Sequence, residues 1–226
     1  MLSFFTSGLL FVAFLLLLLV SLSVPIIKTI FLFTLSANVS SDLLNSGASG
    51  SVNFGVWGYC ISAVQVSIVG IDRDTTAQCS DRHLGYTIDS TVSDALHVDG
   101  LTNLISRTTT AALVLHPIAC ALTFVTLLVS LFTFRQAASR LIYLVTLGVG
   151  ILAALFSTIV FLIDVILVAV VRNHVNDQTD GDLTLNWGNA VWMCLGATIA
   201  LWLAMAAACA GVCGCGRRSR NRKETY

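Results

Sequence analysis

Charged residues and prolines are scarce in this chain of 226 residues. Only 11% of the residues are Asp, Glu, Lys or Arg, two are proline, and 56% are hydrophobic. Soluble domains carry about 25% charged residues, so this composition excludes an ordinary soluble domain and is typical of a membrane protein. The sequence also lacks G-x-S-x-G, H-E-x-x-H and P-loop motifs. We therefore predict a protein that is not an enzyme and has no cofactor, no metal site and no nucleic-acid partner.

Four long apolar stretches account for the hydrophobicity. Each is long enough for the ~20 helical residues that cross a bilayer. They predict transmembrane spans at residues 1–25, 109–134, 141–171 and 190–212. A cleaved signal peptide is the alternative for the first stretch. No Lys or Arg precedes its apolar run, however, and the run is longer than the hydrophobic region of most signal peptides, so we expect a retained span.

The connections between the spans differ in charge. The short connection 135–140 and the tail 213–226 hold seven of the twelve Lys and Arg residues, whereas segments 26–108 and 172–189 hold ten of the twelve acids. Cytoplasmic segments of membrane proteins are enriched in Lys and Arg. The pattern predicts a membrane protein with both termini in the cytoplasm and with 26–108 and 172–189 on the exterior side.

The exterior segment 26–108 has the features of a small disulfide-bonded sheet. Cys60 and Cys79 are its only cysteines, which is the number that one disulfide needs. A metal pair is the alternative, but no second ligand pair lies nearby at zinc-like spacing. Alternating β-branched residues on either side of Gly55 and Gly58 predict two strands that are joined by a tight turn.

Other parts of this segment predict a loop, a helix and a modification. Residues 36–51 are rich in Ser, Asn and Gly and predict a loop. The apolar spacing in 93–110 is compatible with one amphipathic helix that leads into the second span. Asn38 begins the N-glycosylation sequon Asn38-Val39-Ser40, although its closeness to the first span works against its use.

The fourth span and the tail carry small residues and thiols. Small side chains let membrane helices approach closely, and we expect either packing within the chain or a homo-oligomer contact. The small residues at four-residue intervals are Gly196, Ala200, Ala204 and Ala208. Three cysteines beside the basic tail, Cys209, Cys213 and Cys215, are candidates for palmitoylation next to anionic membrane lipids. A plain stop-transfer sequence is the alternative.

One acid, Asp164, lies inside a predicted span. An intramembrane carboxylate is costly and needs a partner, a proton or water. His116 on the second span lies at a similar predicted depth, because the two spans run in opposite directions. We consider two alternatives: a His116–Asp164 pair that responds to exterior pH, and a neutral Asp164 hydrogen-bonded elsewhere in the bundle.

The sequence FGVWGYC, with Gly55, Trp57, Gly58 and Tyr59 before Cys60, resembles the exterior signature of the fungal Sur/PalI family. The sequences LGYTID at 84–89 and LHPIA at 115–119 are also similar to that family. A more distant likeness links Gly55, Trp57 and Cys60 to the G-L-W-x-x-C motif of claudins. The resemblance implies a claudin-like fold, in which a membrane four-helix bundle lies under a disulfide-bonded exterior sheet.

The resemblance also implies a plasma-membrane protein that acts through partners, with one of two functions. PalI-type members assist a seven-span receptor in sensing ambient alkaline pH, upstream of a transcription factor that is activated by proteolysis. Sur-type members organise eisosome-like plasma-membrane domains and affect the cell wall. Many PalI proteins carry a long cytoplasmic tail, whereas the tail predicted here has about a dozen residues. We therefore expect the spans and the exterior segment to carry the function, together with membrane lipids and a protein partner.

Overall fold

Four α-helices make up most of the structure, a computed structural model that describes residues 2–41, 46–62, 65–68, 71–74, 78–80, 102–135, 140–178 and 183–221. The helices are α1 (Leu2–Ser21), α2 (Thr102–Arg135), α3 (Arg140–Gln178) and α4 (Asn189–Asn221). Each contains a segment long and apolar enough to cross a membrane: Phe4–Ser21, Leu113–Phe132, Leu144–Asn173 and Asn189–Ala210. The four spans predicted from composition thus correspond to four helices.

Large apolar side chains are exposed on each helix. Phe4 on α1 is 76% exposed, Phe132 on α2 64%, Ile166 on α3 60% and Trp192 on α4 63%. Such exposure would be unfavourable in water but is expected of helices whose outer surfaces contact lipid. The chain is therefore a multi-pass membrane protein.

Two compact units make up the chain, and the first consists of Met1–Leu18, Pro117–Phe161 and Met193–Tyr226. Its described residues are all helical. Buried hydroxyls join its helices in pairs at 2.8 Å: Ser7 contacts Ser130, and Ser157 contacts Thr198. Such hydrogen bonds between helices each contribute about 1 kcal/mol in lipid.

The small residues of α4 lie inside this unit. Ala200 and Ala204 are buried, and Gly196 and Ala208 are half-buried. A Cβ atom added at Gly196 would lie 3.5 Å from Cδ1 of Leu16 on α1. These residues therefore pack within the chain, and a homo-oligomer contact stays a prediction.

The second unit consists of Leu19–His116 and Leu162–Trp192 and contains an antiparallel sheet. The strands are β1 (Phe33–Ser41), β2 (Ser46–Phe54), β3 (Tyr59–Ile61), β4 (Gln65–Ile68), β5 (Ile71–Asp74), β6 (Gln78–Cys79) and β7 (Leu183–Trp187). Their order is β5-β4-β2-β1-β7, and β3 pairs with both β2 and β6. Strand β7, from the second connection, thus completes a sheet that the first connection begins.

The prediction of a loop over 36–51 was wrong. Strands β1 and β2 cover most of this segment and pair over nine positions, from Phe33 opposite Phe54 to Ser41 opposite Ser46. Local propensity disfavours Ser, Asn and Gly in strands, but the partner strands satisfy the backbone hydrogen bonds. Tertiary pairing therefore overrides the local signal.

A disulfide joins Cys60 on β3 to Cys79 on β6, as predicted. The two residues are directly opposite each other in the β3–β6 ladder. Because β6 has only two residues, the covalent bond is a large part of what holds it to the sheet. The disulfide closes a loop across a separation of 19 residues, for which chain entropy predicts about 3 kcal/mol of stabilisation.

Some predictions lie partly outside the described residues. The amphipathic helix predicted over 93–110 includes residues up to 101 that are not described, and Thr102 onward belongs to α2. The side chains of Cys213 and Cys215 are likewise outside the described part, although the backbone of α4 continues to Asn221.

Candidate functional site

The FGVWGYC sequence forms the tight connection between β2 and β3. Phe54 ends β2 and Tyr59 begins β3. The N–H of Gly55 donates to the carbonyl oxygen of Gly58 at 2.9 Å, which closes the turn. Gly58 has a φ of 153°, a backbone conformation that is essentially restricted to glycine. The turn therefore requires glycine at 58, whereas at Gly55 close contact with Val24 leaves no room for a side chain.

This turn packs on the end of α1. The N–H of Val56 donates to Oγ of Ser23 at 2.8 Å, and the N–H of Trp57 donates to the carbonyl oxygen of Val24 at 3.2 Å. The indole N–H of Trp57 donates to the carbonyl oxygen of Ser21, the last residue of α1. Carbonyls at the end of a helix lack partners within the helix, so Trp57 caps α1 from outside it.

Aromatic stacking continues from this turn into the sheet. The rings of Phe33 and Phe54 stack with centroids 4.7 Å apart, and Tyr59 lies 5.9 Å from Phe54. Next to Tyr59, Cys60 is buried, whereas its disulfide partner Cys79 is exposed. The motif residues therefore join α1, the β2–β3 turn and the disulfide, which is a structural role.

A second connection, which the sequence analysis missed, holds the start of α4 to the segment just before β1. The Asn189 side chain accepts a hydrogen bond from the N–H of Phe31 at 3.0 Å and donates to the carbonyl oxygen of Thr29 at 2.8 Å. The N–H of Gly188 donates to the carbonyl oxygen of Leu32 at 2.8 Å. An Asn at the start of a helix is a common sequence signal, but it does not reveal a partner about 160 residues away.

His116 on α2 and Asp164 on α3 form a buried pair in the second unit. Nε2 of His116 lies 3.1 Å from Oδ2 of Asp164. The two side chains are only 1% and 5% exposed. The structure thus brings together the two polar residues that the sequence analysis matched by depth, and this buried pair is the candidate functional site.

The number of protons on this pair determines its net charge. When one proton is added to the neutral imidazole and the carboxylate, the pair is either an imidazolium–carboxylate ion pair or a neutral imidazole with a carboxylic acid. Its net charge is then zero. Losing that proton leaves one negative charge, and gaining another leaves one positive charge. A buried net charge is unfavourable by several kcal/mol. The pair is therefore chemically suited to link a change in protonation to a change in the packing of α2 and α3.

The candidate residues for glycosylation and palmitoylation lie in different elements. Asn38 is on β1 opposite Ser49 of β2. Cys209 is a free, exposed cysteine near the end of the apolar segment of α4. Whether either residue is modified stays a prediction.

Comparison with known proteins identifies the family. Residues 2–204 match the model of the SUR7/PalI family, so the match includes the seven described strands, both members of the buried pair and about half of α4. No curated protein matches the chain. With its four apolar helices, antiparallel sheet and Cys60–Cys79 disulfide, the chain belongs to the SUR7/PalI family.

Proposed function

We propose that this protein is a non-enzymatic accessory component of ambient-pH signalling, which assists a seven-span receptor in the plasma membrane. Membership of the SUR7/PalI family agrees with this role. The observation that carries the proposal is the buried contact of 3.1 Å between His116 and Asp164. Histidine is the side chain whose ordinary titration range is closest to neutral pH.

The position of His116 near one end of its span can connect exterior pH to helix packing. His116 is three residues from the Leu113 end of its apolar segment, which is about 5 Å along a helix. Charge asymmetry assigns this end to the exterior side. In this proposal an alkaline exterior changes the protonation of the pair, and with it the net charge between α2 and α3. The resulting change in packing is the signal that the receptor would detect.

The test replaces Asp164 in the cells that naturally make this protein and measures their alkaline response. Asp164→Asn keeps the size of the side chain but cannot lose a proton, so we expect proteolytic activation of the transcription factor to lose most of its dependence on exterior pH. His116→Gln should have the same effect. Ser157→Ala is the matched control, because it removes a buried hydrogen bond to Thr198 without removing an ionisable group.

Membrane levels of each variant are measured in parallel, so that loss of protein is not mistaken for loss of response. A normal pH response with Asp164→Asn would disprove the role of the pair but leave the accessory role intact. A normal response in cells without the protein would disprove the accessory role itself.

A second candidate function is the structural organisation of plasma-membrane domains. The exposed thiol of Cys209, near the end of the apolar segment of α4, favours it, since an acyl chain there would enter the bilayer. Gentle solubilisation at acidic and alkaline pH separates the two functions. Recovery of a seven-span receptor in a pH-dependent amount supports signalling, whereas pH-independent recovery of eisosome-type proteins supports organisation.

A further inference from the structure

The sequon Asn38-Val39-Ser40 lies on β1, and we infer that Asn38 carries an N-linked glycan. Neither function proposed above is needed for this inference. The sequence contains no other N-x-S or N-x-T sequon, so a single residue accounts for any N-glycan on the chain. Three observations support it: the direction of β1, the position where α1 ends and the disulfide in the same sheet.

Strand β1 runs away from the membrane. Strand β7 leads directly into α4, whose apolar segment begins at Asn189. Because β1 is antiparallel to β7, it runs in the opposite direction, starting from Phe33 opposite Trp187. Asn38 lies five residues after Phe33, which is about 17 Å along a strand.

Helix α1 also ends well before the sequon. Its last residue is Ser21, and Asn38 lies seventeen positions further along the chain. The first span predicted from sequence alone extended to residue 25 and placed the sequon closer to the bilayer. The structure therefore removes the argument from sequence against the use of Asn38.

The Cys60–Cys79 disulfide indicates the compartment. Disulfides form and persist in the secretory pathway and outside the cell, where N-glycosylation also takes place. Cys60 is on β3, which pairs with the same strand β2 that pairs with β1. The sequon and the disulfide thus belong to one sheet, which must face one compartment.

The modification is a group transfer from a lipid-diphosphate-linked oligosaccharide, catalysed by the host's oligosaccharyltransferase. Nδ2 of Asn38 forms a bond to the anomeric carbon of the first sugar. The bond between that carbon and the diphosphate oxygen breaks, so the lipid diphosphate leaves with the electron pair, and Nδ2 loses one proton. The Ser40 hydroxyl completes the sequon that the transferase requires.

The test expresses the full-length tagged protein in a eukaryotic host and measures its gel mobility before and after treatment with an N-glycosidase. We expect treatment to increase the mobility of the wild type. Asn38→Gln and Ser40→Ala should each run at the deglycosylated position without treatment. Ser40→Thr keeps a sequon and should behave as the wild type does.

A wild type whose mobility is unchanged by the glycosidase would overturn the inference. A further variant distinguishes the two causes of such a result. Gly47→Ser in the Asn38→Gln background creates the sequon Asn45-Ser46-Ser. Modification at Asn45 would show that the compartment is correct and that Asn38 is not used. No modification at either site would overturn the outward assignment of the sheet together with the inference.

Discussion

Replacing Asp164 by leucine should lower the free energy of unfolding by about 3 kcal/mol, because it removes the carboxylate that lies 3.1 Å from a buried imidazole. His116→Leu should have a cost of similar size. The double variant should be markedly more stable than the sum of the two single effects predicts, since two apolar side chains pack without a buried polar group. Thermal denaturation of the purified protein in detergent measures all three variants.

Ser157→Ala is the control against which the losses in free energy of unfolding are compared. It breaks a buried hydrogen bond between two hydroxyl groups at 2.8 Å, for which about 1 kcal/mol is expected. If Asp164→Leu costs no more than this control and the two single effects add, the pair contributes no specific coupling between α2 and α3.

Gly55→Ala should destabilise the protein by about 3 kcal/mol, because there is no room for a methyl group at this position. The added Cβ would lie 2.5 Å from the carbonyl oxygen and 2.6 Å from Cβ of Val24. Backbone atoms cannot move aside as the end of a flexible side chain can, so the β2–β3 turn would have to leave the end of α1. Thermal denaturation measures the loss.

Gly148→Ala is the matched control for this substitution. Gly148 lies on α3, and a Cβ atom there would have no neighbour within 4 Å. Alanine has a higher helix propensity than glycine by about 1 kcal/mol, so this variant should be as stable as the wild type or slightly more stable. Equal behaviour of the two alanine variants would contradict the tight packing of Gly55 on Val24.

The helices were predictable from the sequence because long apolar runs are a local signal. The disulfide was predictable from the number of cysteines in one segment. Four apolar runs predict four helices, and two cysteines in one exterior segment predict one disulfide. The strands on either side of Gly55 and Gly58 were also predictable, since alternation and glycine mark a turn between strands.

The pairing of β1 with β7 could not be predicted, although each segment alternates apolar and polar residues as a half-buried strand does. Leu35 is opposite Leu185 across a separation of 150 residues, and a local pattern does not reveal so distant a partner. The role of Trp57 was only partly predictable. An aromatic residue near a membrane predicts an interfacial position, but the hydrogen bond to Ser21 depends on where α1 ends.

The His116–Asp164 contact was only half predictable. Counting residues from the ends of the predicted spans gives a similar depth for the two side chains, but it does not determine which faces of α2 and α3 meet. Packing of the helices sets those faces, and the structure shows that they bring Nε2 and Oδ2 together. The response of this pair to pH remains a prediction.

Infrared difference spectroscopy of the purified full-length protein, between acidic and alkaline buffer, tests that prediction most directly. If the pair responds to pH, raising the pH should change its protonation, so carboxyl or imidazole bands should change in the wild type. The same changes should be absent from Asp164→Asn and from His116→Gln. Identical difference spectra for the wild type and both variants would show that the pair does not titrate, and would contradict its role as the pH-responsive element.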